Sequence, residues 1–239
     1  MKINIYKLLD GAKKASGDVT VIIDVLRAFS VECFLANNNA KQIIAVAGED
    51  LAYKLKEEHK DYLLIGERGG KMLPDFDYGN SPSQIENVDF TGKTCIHTTS
   101  AGTQGLANAI NSKTVLTGSL VNAKAIAEYI IKNNFKEVSL VALGLAAKTE
   151  TTEDNLCAEY IKGLLEGNKP DITKQIENVK QTDGAKFFDP NKQDIFPKKD
   201  FELCMDKNRF NFVLKVDKIE NGKFYIKKID QATKIVDRI

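Results

Sequence analysis

The residues best suited to chemistry in this 239-residue chain are acids and arginines at the ends of apolar runs. Asp24 follows Val21-Ile22-Ile23, with Arg27 close behind it. Glu67 and Arg68 sit in Gly66-Glu67-Arg68-Gly69-Gly70 after a second run, and Glu153-Asp154 follow a third. An acid at the end of an apolar strand is costly to bury without a partner. Mg²⁺ is such a partner: it takes hard oxygen ligands from few carboxylates and completes its shell with waters and substrate phosphate. Asp24, Glu67 and Asp154 are therefore candidate metal ligands. Thr151-x-x-Asp154 also matches a capping box, which is the alternative for Asp154. Arg27 and Arg68 present planar forks that hold two oxygens of a phosphate, carboxylate or sulfonate; a surface ion pair is the alternative for each. Asp24, Arg27 and Arg68 form the candidate catalytic group. Whether Asp24 acts as a nucleophile or only as a metal ligand is left open.

Thr98-Thr99-Ser100-Ala101-Gly102-Thr103 carries four hydroxyls and a glycine where a helix should begin. Unpaired N–H groups and the positive end of the helix dipole favour an anion there. Leu106, Ala109 and Ile110 supply the packing stripe behind it. Ordinary N-capping by Ser100 or Thr103 is the plain alternative. His97 reads as an acid, a base or a supporting donor, or as a satisfied structural histidine. Cys33 and Cys157 fall on apolar helix stripes and read as buried thiols. Other phosphate signatures fail. Gly66 to Met72 is one residue short of a P-loop, and Met72 lacks the metal-binding hydroxyl. Cys95 is followed by Ala101 where a cysteine phosphatase needs arginine. Pro74, not an apolar strand, precedes Asp75-Phe76-Asp77. Neither a dinucleotide fingerprint nor a Gly-x-Ser-x-Gly elbow is present.

The elements that must position these residues alternate. β-Branched runs predict strands at Val19–Asp24, Gln42–Val46, Tyr62–Gly66, Lys93–His97, Thr114–Thr117 and Glu137–Leu143. Helical periods predict helices at about Ala28–Asn37, Asp50–Glu58, Gly102–Ile110, Leu120–Asn133 and Glu153–Glu166. Such alternation predicts an α/β domain whose largely parallel sheet is covered on both faces, with ligands at the carboxyl ends of the strands. The long connection from Glu67 to Gly92 has no period and reads as a cover for the site. Residues 1–170 form the body. Residues 171–239 read as an extension packed on it within a single domain. In that extension, Glu220-Asn221-Gly222 predicts a hairpin that closes an edge of the sheet. Its polar stretch Asp171 to Asp200 shows no strong period.

Composition narrows the function classes. Basic and acidic residues balance at 34 and 33, and there is no tryptophan, which argues against a nucleic-acid surface. Apolar residues make up 43% and charged residues 28%, as in a globular protein. No segment is long and apolar enough for a membrane span or a leader, so the cytoplasm is the expected location. The four cysteines lack metal-site spacing. The sequence leaves a homodimer open.

Taken together, Ile23-Asp24-Val25-Leu26-Arg27-Ala28, Gly66 to Gly70, Phe76-Asp77-Tyr78-Gly79-Asn80-Ser81-Pro82, Thr98 to Thr103, and Glu153-Asp154 with Cys157-Ala158 resemble the 2-phosphosulfolactate phosphatase family. Any one piece is unspecific; it is their order that carries the resemblance. It implies a Mg²⁺-dependent phosphomonoester hydrolase acting on a small phosphorylated, sulfonated acid. In methanogens that step belongs to coenzyme M synthesis. It further implies a three-layer α/β/α fold with a mixed sheet and two intertwined halves. Carried over by position, Asn80, Ser81, Thr98, Thr99, Ser100, Gly102 and Thr103 would bind substrate. Phe29-Ser30 and Ser100-Ala101 depart from the residues many members show. The competing readings are a phosphatase for another small acidic phosphomonoester and a non-catalytic anion-binding module.

Overall fold

The computed structural model describes residues 1–109 and 111–231. Ile110, assigned to a packing stripe above, lies outside them. Among the described residues ten strands form one mixed sheet. They are β1 (Lys2–Lys7), β2 (Ser16–Ile23), β3 (Gln42–Val46), β4 (Leu63–Arg68), β5 (Lys71–Met72), β6 (Thr94–Thr98), β7 (Asn111–Gly118), β8 (Glu137–Ala142), β9 (Phe212–Glu220) and β10 (Lys223–Asp230). The α-helices are α1 (Leu8–Lys14), α2 (Ala28–Asn37), α3 (Glu49–Glu58), α4 (Pro82–Ile85), α5 (Gly102–Asn108), α6 (Ala123–Lys132), α7 (Thr152–Leu165), α8 (Thr173–Gln181) and α9 (Lys198–Cys204).

Two parallel blocks make up most of the sheet, β1-β8-β2-β7 on one side and β3-β6-β4 on the other. The chain builds β1 and β2, crosses to the second block, and returns for β7 and β8. The blocks are thus interleaved in sequence. Side chains alternate across the strands and so feed two layers. Ile22 packs with Phe29 and Phe34 of α2, whereas Val21 and Ile23 pack with Ile126 of α6 and Cys157 of α7. The result is the three-layer α/β/α arrangement the sequence predicts. Cys33, Cys95, Cys157 and Cys204 are all buried free thiols.

The hairpin corrects one expectation. Asn221 and Gly222 turn it with positive φ values, as their residue types predict. Yet β9 pairs with β7 and β10 pairs with β3, both antiparallel, so the hairpin joins the two blocks at the centre of the sheet and closes no edge. The reason lies in its sequence. Phe212, Val213 and Leu214 are buried in succession, an unbroken apolar run that suits a strand covered on both faces.

Two further differences concern the chain's start and tail. Lys2–Lys7 and Leu8–Lys14 form an outer strand and a short helix that the strand reading omits. The polar stretch 171–200 is not irregular: it contains α8, two 3₁₀ turns and the start of α9. The long connection also behaves differently from a cover. Phe76, Ile85 and Phe90 within it are buried, and the Asp77 carboxylate accepts the Leu64 amide at 2.8 Å, so it is part of the packed body. Among the described residues no helix is long and apolar enough to cross a membrane.

Candidate active site

Three chain segments end at the same rim of the sheet and place their acids around one cavity of about 460 Å³. Asp24 follows β2, Glu67 is the penultimate residue of β4, and Glu153 and Asp154 open α7 after β8. Backbone amides fix three of these carboxylates, Asp24, Glu67 and Asp154. Asp24 Oδ1 accepts the Ala28 N–H at 3.1 Å, while its Oδ2 has no hydrogen-bond donor among the described residues. Glu67 Oε1 accepts the Ser100 N–H at 2.7 Å, and Oε2 accepts the Gly70 N–H at 2.6 Å and the Ser100 hydroxyl at 3.2 Å. Asp154 accepts the amides of Val25 and Gly144, each at 2.8 Å. It therefore ties the β2 and β8 ends together, and the capping-box alternative fails: Thr151 makes no side-chain cap bond.

Gly102 is required here by close approach. A Cβ on it would lie 2.9 Å from Ala28 Cβ and 3.2 Å from Asp24 Oδ2. Without that Cβ, the start of α5 can sit against the Asp24 carboxylate.

Gathering acids in a dry rim has an electrostatic consequence. Burial raises the Asp24 carboxyl to about 6, and the Glu67 charge adds to the shift. Burial, then the charges of Glu153 and Asp24, push Asp154 well above the usual carboxylate range. Burial lifts Glu153 to about 7, and Asp183 contributes. The Glu153 Oε2 atom is buried without a hydrogen-bond partner. The sequence reading passed over Glu153 in favour of its neighbour; its signal was the paired Glu-Asp at a helix start.

The arginines take different places from those expected. Arg27 borders the cavity, but its fork is engaged: Nη1 donates to Asp200 Oδ2 at 2.6 Å and to the Ile195 carbonyl at 3.0 Å, and Nη2 to the Gly70 carbonyl at 3.2 Å. Its guanidinium also lies over Phe187 and Phe196. Arg27 thus anchors the segment 185–200 beside the cavity. Arg68 does not line the cavity. It donates to the Glu67 carbonyl and the Thr98 hydroxyl and pairs with Glu49 at 3.3 Å, bracing the end of β4.

The hydroxyl-rich loop is likewise turned on itself. The Thr103 hydroxyl donates to the Thr99 carbonyl at 3.0 Å and accepts the Thr99 N–H at 3.2 Å, and Thr98 accepts from Arg68. Of this loop, Ser100 and Ala101 line the cavity. Asn80 lines it too, with Oδ1 at 3.4 Å from His97 Nε2, while His97 Nδ1 lies 3.0 Å from Glu32. His97 is buried behind Asn80 in the supporting position. Ser81 donates to Asp200 Oδ1 at 2.8 Å instead of facing the cavity. Asp200, Lys186 and Phe196 went unidentified in the sequence because no period or motif marks that stretch.

The donor set suits a hard cation. It is all oxygen, it accumulates negative charge, and Asp24 Oδ2 is unengaged. Among the described residues no three His, Cys, Asp or Glu side chains close a ligand set alone. Mg²⁺, which keeps several waters, needs fewer protein ligands than that.

Comparison with known proteins adds independent findings. The family model described as 2-phosphosulpholactate phosphatase matches residues 5–218. A probable 2-phosphosulfolactate phosphatase of Bacillus subtilis (strain 168) is 33% identical over 205 residues, covering 84% of this chain and 88% of the relative. A protein of the same description from Caldicellulosiruptor saccharolyticus is 41% identical over 156 residues, covering 64% of each chain. Another, from Clostridium acetobutylicum, is 31% identical over 227 residues and covers 87% of this chain and 94% of the relative.

Proposed function

This chain belongs to the 2-phosphosulpholactate phosphatase family, and from that premise we propose that it hydrolyses 2-phosphosulfolactate to sulfolactate and phosphate with the aid of Mg²⁺. The observation that carries the reading is the convergence of Asp24, Glu67, Glu153 and Asp154 on one cavity. These buried acids, where ionised, would repel a phosphate dianion and one another. A divalent cation between them removes that conflict.

Asp24 is the ligand with an unengaged oxygen, and Glu67 and Asp154 stand beside it as further or water-mediated ligands. When bound, Mg²⁺ supplies Lewis-acid stabilisation of the phosphoryl oxygens. The remaining work falls to this chain's own groups. Ser100 and Asn80, on the cavity wall, orient the phosphoryl group. Glu153, whose Oε2 has no partner, is the carboxyl able to hold a proton in that wall. The balance is simple: water oxygen bonds to phosphorus, the ester P–O bond breaks, and the departing oxygen takes up a proton. The amides on Glu67 and Asp154 keep these acids in place while charge redistributes, so little reorganisation accompanies the step.

Phosphate release from 2-phosphosulfolactate by the purified protein, with Mg²⁺ and after chelation, tests this. Release that depends on Mg²⁺ is expected. No release from this ester under either condition would overturn the activity, and equal release under both would overturn the role of the ion.

A further inference from the structure

A substrate with a phosphate, a sulfonate and a carboxylate presents more negative charge than a metal site alone can match. The acid rim makes the imbalance worse. The cationic side chains lining the cavity are Arg27 and Lys186. The Arg27 fork is already bonded to Asp200, Ile195 and Gly70. Lys186 forms no ion pair and no hydrogen bond among the described residues, although Lys180 and Lys192 on either side of it do pair; its charge reaches Glu153 across the cavity and lowers that carboxyl's pKa against the effect of burial. Two aromatic rings hold it: Nζ lies 5.7 Å from the Phe187 centroid and 5.3 Å from that of Phe196. Ring faces attract an ammonium without neutralising it, and they limit where the flexible stem can go.

We infer that Lys186 is a specificity-determining residue that binds the non-phosphate acid group of the substrate, its sulfonate or carboxylate, from the wall that residues 185–200 add to the cavity. The inference rests on the proposed activity for the identity of that group. The geometry around Lys186 supports it separately. Phe196 packs directly on Gly70, where a Cβ would come within 2.4 Å of Phe196 Cζ. Gly70 in turn donates to Glu67. The ring that Lys186 lies over is therefore joined to the acid rim by a short chain of contacts. A small acid with two anionic groups can engage both the rim and the lysine. A simple phosphate ester engages only one of them.

The test compares two substrates in wild-type protein, Lys186→Met and Lys186→Arg. The substrates are 2-phosphosulfolactate and p-nitrophenyl phosphate, which lacks an acid group beyond its phosphate. Loss of a charge-assisted hydrogen bond should lower kcat/KM of Lys186→Met about tenfold or more on the first relative to the second, mainly through KM. Lys186→Arg should recover most of that ratio. Equal losses on both substrates would make Lys186 a purely structural residue, and no loss on either would remove it from binding; both overturn the inference. Wild-type turnover reports separately on the proposed activity. If the wild-type protein released no phosphate, calorimetric binding of sulfolactate would still decide the matter: about tenfold weaker binding to Lys186→Met supports the role, and equal binding ends it.

Discussion

The two walls of the cavity are built on different principles. The acid wall stands on strand ends. Asp24, Glu67 and Asp154 each accept backbone amides from segments that follow the strands. The other wall, residues 185–200, stands on 3₁₀ turns, an aromatic cluster and one buried ion pair between Arg27 and Asp200. On the proposed function, chemistry that tolerates little displacement would sit on the first wall, and discrimination between substrates would sit on the second. If that division is right, substitutions in the first wall should remove activity and leave the fold, whereas those at the anchor of the second should damage both.

Asp24→Asn gives the largest effect expected. Loss of the ligand with the unengaged oxygen should lower kcat about a thousandfold or more, roughly 4 kcal/mol of transition-state stabilisation. The melting temperature without metal should hold or rise, because the substitution removes a carboxylate whose ionisation burial opposes. A near-native rate would take Asp24 out of the chemistry.

Asp200→Ala probes the other wall. Arg27 is 4% exposed and Asp200 is fully buried, so truncation leaves a buried guanidinium without its partner. Breaking such a pair typically costs about 3–5 kcal/mol. Asp200 also accepts from Ser81 and from the Ser83 amide, which adds to the loss. Urea denaturation should show a midpoint well below wild type. A change under about 1 kcal/mol would mean that packing of Phe187, Phe196 and Phe201 alone holds the segment.

Acidity separates the walls again, more gently. The Asp24 carboxyl titrates near 6 in the folded chain against an ordinary 3.8. The folded state therefore binds this proton more tightly than the unfolded one. Its contribution favours the fold below about pH 4 and is lost as pH rises through about 6. A cation that binds the ionised carboxylate should offset that loss. Mg²⁺ should thus raise the melting temperature more at about pH 7.5 than at about pH 5. The same increment at both would separate the ion from this carboxylate.

Legibility in the sequence follows the same division. Asp24 and Glu67 could be read because an apolar strand announces its own end, and a parallel sheet brings such ends to one rim, while Asp154 stood in the acid pair that opens the helix after β8. The alternation of strands and helices was equally plain. What could not be read were partnerships across the chain. Nothing local shows that Arg27 meets Asp200, that Thr103 bonds to Thr99 instead of a ligand, or that Lys186 faces Glu153's wall. The hairpin illustrates both cases. Asn221-Gly222 fixed its turn, while its central place depended on Phe212-Val213-Leu214, a run long enough to be covered twice and short enough to pass for an edge.

Arg68 should give the smallest effect. On sequence grounds it matched Arg27, yet it lies off the cavity and pairs with the exposed Glu49. Its side chain is 31% accessible, so solvent screens that pair. Arg68→Ala should cost about 1 kcal/mol or less in stability. Its bonds to the Glu67 carbonyl and Thr98 brace the strand that presents Glu67, so a modest fall in kcat with little change in KM is expected. A large rise in KM confined to phosphosulfolactate would instead put this guanidinium on the substrate. The second cation of the site would then come from the sheet, and the division between a fixed chemical wall and a variable recognition wall would fail.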